Sequence, residues 1–329
     1  MPDIQLSVAI SYYDHVSDLL RGRVRAEGVS LTLLELPVEE IFFRTLKFTE
    51  FDVAEFAMGK YVSLVAAGSP PFVAIPVFPS RVFRQSAFYV AKRAVIRDAK
   101  DLAGRRVGIP EWAQTATIYA RAYLQHQCGV PLRDVRWVQA GVNQAGRAEK
   151  VSLSVPEGIA IERIRDRSLN EMLLAGDLDA VISAREPDAF VAGDPRVTRL
   201  WPDTRALEEA YYRETGIFPI MHAMVIKKTT LDRSPWIAMN LFKAFEQAKV
   251  NAQQHLGRAI TSRVPFPGAY HAVAEAQRVF GEDPWPYGIE PNRRTLDAFL
   301  QFAHEQGVTA CRVQVDELFP RELRAFAKV

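Results

Sequence analysis

An α/β fold of two lobes, the first built from two separated stretches of chain, is predicted by three observations. Short apolar runs alternate with longer stretches of helical periodicity, the pattern of mainly parallel sheets covered by helices. The length of 329 residues exceeds what one core usually holds, since single cores stop growing at about 250 to 300 residues. The apolar run from His222 to Lys227 follows a long middle segment with its own strand and helix alternation, and reads as the return to the first lobe. The expected division is 1–89 plus 224–329 for the discontinuous lobe and 90–223 for the inserted one.

Ile4 to Ile10 reads as the first strand, followed by a polar loop, Ser11 to Asp14, and a helix with Val16, Leu19 and Leu20 on one face. Leu31 to Leu36 is a second strand, Val38 to Phe48 a helix, Phe51 to Phe56 a strand and Lys60 to Ala67 a helix. Gly68, Ser69, Pro70 and Pro71 break that helix before the strand Phe72 to Val77. Ala87 to Lys92 continues extended. In the inserted lobe Val107 to Ile109 is a strand, and Ala116, Tyr119, Ala120, Tyr123 and Leu124 share a helix face that ends at Gly129 and Pro131. Arg136 to Gln139 is the next strand, and 142–154 is polar without an assignable period. Ser168 and Glu171 form a capping box for a short helix ending near Ala175, with Gly176 as its stop and Ala180 to Ser183 as the strand beyond. That strand leaves Ser183, Ala184 and Arg185 at a carboxyl edge, where open α/β sheets bind ligands. Ser234 and Pro235 start a helix running to Leu256, and further helices cover Tyr270 to Phe280 and Thr295 to Gln306.

Composition excludes several classes. A net charge of +2 with no basic stripe gives no support for nucleic-acid binding. Cys128 and Cys311 stand far apart with no CxxC spacing, so neither a disulfide framework nor a zinc site is expected. No run approaches the ~20 apolar residues of a membrane span, and Met1, Pro2 and Asp3 lead into the first strand without the pattern of a secretory leader. A cytoplasmic protein is expected, with self-association into a homo-oligomer left open. No GxSxG elbow, Walker loop, GxGxxG fingerprint or HExxH helix occurs, so serine catalysis, nucleotide hydrolysis and nicotinamide chemistry lose their usual support. No cofactor and no metal is expected.

The segment FPSRVFRQSAFYV sets Arg81 and Arg84 three residues apart, with Ser80 beside them, among aromatic and apolar neighbours. A guanidinium fork matches a carboxylate bidentately, which suits an anionic, ring-bearing ligand; two solvated surface arginines are the plain alternative. Loops at strand ends supply further candidates. Tyr12, Tyr13, Asp14 and His15 follow the first strand, and Glu55 closes the third, near Gly59. In EWAQTAT, Glu111 is followed by Trp112, which offers an aromatic face or core packing, and by Thr115 and Thr117 at a helix start whose free amides can seat a carboxylate. His222 opens the return strand, and its side chain can pass a proton either way near neutral pH, though a structural histidine is the plain reading.

Taken in order, FPSRVFRQSAFYV, RRVGIPEWAQTATIYARAYLQHQCGV, TGIFPIMHAMVI and GEDPWPYGIEPNRRTLDAFLQFAHEQGV resemble the 4,5-dihydroxyphthalate decarboxylase family over nearly the whole chain. The resemblance implies the two-lobed type II periplasmic-binding-protein-like fold with a ligand cleft between the lobes, and removal of one carboxyl group of 4,5-dihydroxyphthalate to give protocatechuate in phthalate catabolism. It carries no residue roles, so these are assigned on chemical grounds. His222 is expected to transfer the proton, with Glu111 and Asp14 as substitutes whose pKa burial would have to raise. Arg81, Arg84, Ser80, Thr115, Thr117, Glu55 and Trp112 are expected to bind the small aromatic carboxylate. The same lobes could serve a non-catalytic solute-binding protein, or another small-acid lyase of the chorismate dehydratase kind.

Overall fold

The computed structural model describes residues 3–68, 70–257 and 267–324. Met1, Pro2, the predicted helix breaker Ser69, and 258–266 and 325–329 of the expected return segment lie outside the described residues. The strands are β1 (Ile4–Ile10), β2 (Val29–Glu35), β3 (Val53–Ala57), β4 (Phe72–Arg81), β5 (Phe88–Ala91), β6 (Arg106–Ile109), β7 (Arg136–Gln139), β8 (Ile161–Arg163), β9 (Ala180–Ile182), β10 (Val197–Arg199) and β11 (Ile220–Lys227). They form two sheets, ordered β2-β1-β3-β11-β4 and β10-β5-β9-β6-β7-β8. β1, β2 and β3 are parallel, as are β9, β6, β7 and β8, while β11 runs antiparallel to β3 and β4. Each sheet thus gathers carboxyl ends of parallel strands on one edge, where connecting loops can converge on a ligand.

The expected division at 89/90 and 223/224 cuts through β5 and β11, yet each strand belongs wholly to one sheet. The chain therefore leaves the first sheet after Arg81 and re-enters it at Ile220, a few residues earlier at each crossing than the apolar runs suggest. The sequence reading ended β4 at Val77, but the strand continues to Arg81 past a register break: His222 faces Ser80, while Met224 faces Ile75. Pro76 and Pro79 lie in that break and have no N–H for the ladder. The carbonyls it frees are taken by the 285–288 segment, through Gly288 N to Pro76 O (2.8 Å) and Trp285 Nε1 to Phe78 O (3.0 Å).

Local signals govern the helices. Val38–Phe48 occupies the expected span, and the Ser168/Glu171 capping box is formed in both directions ahead of Leu169–Ala175, with Gly176 left-handed at φ 92°. The helices Met58–Ala66 and Thr115–His126 meet end to end across the two lobes, the Gly59 amide donating to Thr115 Oγ1 at 2.9 Å. A methyl group on Gly59 would stand 2.4 Å from the Ala113 carbonyl oxygen. Only glycine permits that approach.

Candidate active site

β3 and β11 build one wall of the cleft. Their register pairs His222 with Ala57 and Met224 with Glu55, so His222 and Glu55 lie on the same sheet face as diagonal neighbours. Glu55 is fully buried, and its Oε1 sits 2.6 Å from His222 Nδ1 and 2.5 Å from the Tyr13 hydroxyl, while the Ser11 amide donates to Oε2 at 2.9 Å. Burial alone would push the Glu55 carboxyl up. The hydrogen bond and charge of His222, followed by Tyr13 and the Ser11 amide, outweigh it and hold the carboxyl below its ordinary range. An ionised Glu55 requires the proton of the shared bond to sit on His222 Nδ1, leaving Nε2 for chemistry.

His222 lines the cleft together with Val38, Phe42, Ala57 and Met221, and the Phe42 ring meets the imidazole edge-on at 4.9 Å. Behind Glu55, burial, then Glu55 itself, hold the Tyr13 phenol protonated well above its usual value, and Ser80 bonds its oxygen. His15 packs against Tyr13 and Trp285 with ring centroids 5.3 and 5.5 Å away. Burial pulls its imidazole down to about 4, so it is neutral near pH 7.

The opposite wall comes from the second lobe. Gln114, Thr115 and Ala116 bring the start of the Thr115–His126 helix to the cleft, and no backbone or side-chain partner among the described residues takes the amides of Thr115, Ala116 and Thr117. The positive end of a helix with free amides attracts a carboxylate. Ser183 Oγ and Gln114 Oε1 are buried there without a partner. Arg84 lines the same space, its Nε directed to Met221 Sδ at 3.2 Å and its terminal nitrogens in no described bond. Burial pulls the guanidinium down to about 10, and it stays charged near pH 7. The enclosed volume is about 290 Å³.

Lys60 and Arg147 close the cleft from either side of Glu111, with Lys60 Nζ 3.3 Å from Oε2 and Arg147 Nε 2.7 Å from Oε1. Burial favours the protonated acid, but the charges of Lys60 and Arg147 reverse this and lower its pKa. Glu111 is an anion in this setting, which removes it as a proton donor. Asp14 is also misplaced for that role: it is exposed, accepts from the Tyr12 hydroxyl at 3.1 Å and does not line the cleft.

Other expected site residues lie outside the cleft. Arg81 is buried and its fork is occupied by Phe218 O (3.1 Å), Pro286 O (2.7 Å) and Asn292 Oδ1, with the rings of Phe78 and Phe218 against its faces. Its donors hold the first lobe together. Trp112 is fully buried, donates to Gln306 O at 2.7 Å and packs edge-on against Trp137. Thr117 Oγ1 bonds back to the carbonyls of Glu111 and Gln114, both at 2.9 Å. Ser80 reaches the site only through Tyr13. Among the described residues no group of His, Cys, Asp and Glu is arranged to hold a metal ion, and no helix is long and apolar enough to cross a membrane.

The chain is 36% identical over 328 residues to the 4,5-dihydroxyphthalate decarboxylase of Comamonas testosteroni, covering 99% of both chains. It is also 36% identical over 214 residues to the enzyme of that name from Pseudomonas putida, covering 65% of this chain and 83% of the relative. This chain belongs to the 4,5-dihydroxyphthalate decarboxylase family. No family model matches it. Among solved structures it resembles the periplasmic aliphatic sulphonate binding protein SsuA from Escherichia coli, with TM-score 0.54, 12% identity and coverage of 98% and 99% of the two chains. It likewise resembles the desulfurization enzyme DSZB, with TM-score 0.55, 15% identity and coverage of 98% and 97%. This decarboxylase-family chain therefore has the two-lobed fold of the periplasmic binding proteins.

Sequence reasoning about this family member missed Lys60, Gln114 and Arg147 as cleft residues and noted Ser183 and Arg185 only as strand-end positions. A signal for Lys60 was present: it is the lone charge in the apolar run MGKYVSLVA, whose first five residues are all buried. A buried lysine needs a partner, and that partner is Glu111. Arg147 stands in the polar stretch after Val142, where no periodicity directs its side chain.

Proposed function

We propose that this protein converts 4,5-dihydroxyphthalate to protocatechuate and carbon dioxide, with His222 as the proton donor. The observation that carries the reading is the imidazole held by an ionised, buried Glu55 at one wall of a cleft whose other wall presents unpaired donors. Protonated His222 delivers its Nε2 proton to the ring carbon bearing the departing carboxylate. The carbon–carbon bond then breaks, its electron pair restores the aromatic ring, carbon dioxide leaves, and solvent returns a proton to His222. The hydroxyl para to that carbon feeds electron density toward it. Lys60 and Arg147, which carry one positive charge in excess of Glu111, supply a potential favourable to its ionised form.

The carboxylate that stays is seated by Arg84 and the amides of Thr115 and Ala116, with Ser183 and Gln114 beside it. The departing one lies by His222 against Phe42, Val38 and Met221, apolar surroundings that favour neutral carbon dioxide over a carboxylate. Incubation with 4,5-dihydroxyphthalate, following carbon dioxide and protocatechuate, tests the reaction. Binding without release of either product would reject it in favour of a solute-binding role.

A further inference from the structure

We propose that the second lobe holds another binding site, for a small organic carboxylate with an apolar body, in a cavity at the carboxyl ends of β7 and β8. The two strands are parallel and in register, with Gln139 opposite Arg163 at their last residues. A cavity of about 390 Å³ opens at that point, on the sheet edge where α/β folds bind ligands. Gln139 lines it and is 2% exposed, yet neither its side-chain oxygen nor its nitrogen has a partner. Buried amides are otherwise almost always bonded, and one with both ends free is a place where a ligand or water completes the bonding.

The charge around Gln139 points to an anion. Arg163 and Arg165 line the cavity, are exposed, and make no hydrogen bond or ion pair among the described residues. Glu149 also lines it, but its carboxylate is engaged by the backbone amides of Trp112 (2.6 Å) and Ala113 (3.2 Å). Two arginine forks and an amide donor thus face an acceptor that the protein does not supply. Val151, Leu153 and Ile164 add apolar faces beside Ala148, Ser152 and Arg147. Three aliphatic side chains suit the hydrocarbon body of an organic acid and offer nothing to the outer oxygens of a phosphate. The cavity abuts the cleft only through Arg147, which lines both, and the inference does not depend on the reaction proposed above.

Titration calorimetry at low ionic strength tests the site, with benzoate as one probe and inorganic phosphate as the other, because attraction to exposed arginines is screened by salt. The expected result is a benzoate-binding event that survives Arg84→Ala and weakens at least about tenfold in the Arg163→Ala/Arg165→Ala double variant. Neither arginine has a partner to lose, so the double variant keeps the stability of the parent protein. Gln139→Leu is expected to weaken the same event without lowering Tm, since it removes a buried polar group that has no partner. A benzoate event untouched by the double variant, or no event beyond the Arg84-sensitive one, would overturn the site. Phosphate binding as tightly as benzoate through the same residues would overturn the assignment to an organic carboxylate. Absence of the Arg84-sensitive event alone would count against the cleft and leave the second site standing.

Discussion

The two walls of the cleft are prepared in opposite ways. On the first-lobe side the Glu55 carboxylate has its partners before any substrate arrives: Tyr13, Ser11 and His222 Nδ1 all converge on it. On the second-lobe side the helix amides, Ser183 Oγ, Gln114 Oε1 and the outer nitrogens of Arg84 have none. A group that moves a proton must hold one geometry while its own protonation changes, so the bonds that orient it are internal. Groups that seat a ligand keep donors and acceptors open, at some cost to stability. The contrast separates catalysis from recognition by lobe, and it can be broken residue by residue.

The largest effect is expected at His222. His222→Ala should leave binding of 4,5-dihydroxyphthalate near that of the parent but cut turnover by ~10²- to 10⁴-fold, the range for losing a general acid. Equal losses in binding and turnover, measured by calorimetry and product release, would erase the division between the walls. Glu111→Gln comes next. It leaves Lys60 and Arg147 facing each other without an anion, and breaking a buried pair from one side typically destabilises by about 3 to 5 kcal/mol. Urea unfolding should show the lower end of that range, because Arg147 is partly exposed.

Arg84→Ala should weaken ligand binding by ~1.5 to 3 kcal/mol, the scale of a hydrogen bond to a charged group, with Tm little changed. Arg81→Ala should do the reverse, lowering Tm with a smaller effect on binding, since it strands the oxygens of Phe218 and Asn292 and leaves Pro286 O with one donor fewer. If both variants lose affinity alike, the two arginines belong to one site. Acid titration gives a finer probe. The Glu55 carboxyl lies below its ordinary value of 4.5 in the folded state, so its contribution is fully present above that value and is lost as pH falls through the folded pKa. As pH falls below the ordinary carboxyl value and through the lowered folded one, Glu55→Gln should therefore lose less stability than the parent. Smallest of all, Asp14→Asn should stay within about 0.5 kcal/mol of the parent stability and keep its turnover, as an exposed residue away from the cleft.

What could be read from the sequence was what neighbouring residues determine. β1, β7, the Val38–Phe48 helix and the Ser168 capping box fall where periodicity and caps place them. β8 and β10, three residues each at opposite edges of the second sheet, are too short to show a period and were missed. His222 stood out because it lies near the start of an apolar strand, and Thr115 because it starts a helix. Arg81 and Arg84 were not separable: their fates depend on Pro286 and Asn292, more than 200 residues away, and on Met221. No local pattern records which of two similar cations meets a distant carbonyl first. Trp112 is the same case, its indole N–H committed to Gln306.

The bare α-carbon of Gly59 fixes how closely two helix starts from different lobes approach. It lets one helix end rest on another beside the cleft residues Lys60, Ala113 and Thr115. A methyl inserted there acts as a wedge between the two helix starts. Gly59→Ala would have to separate its methyl from the Ala113 oxygen, which it would otherwise approach to 2.4 Å. Contact distances of about 3.5 to 4 Å are needed there, so the two helix starts would have to move apart. The separation of the two lobes is thus set in part by one missing carbon atom, beside the amide of Thr115.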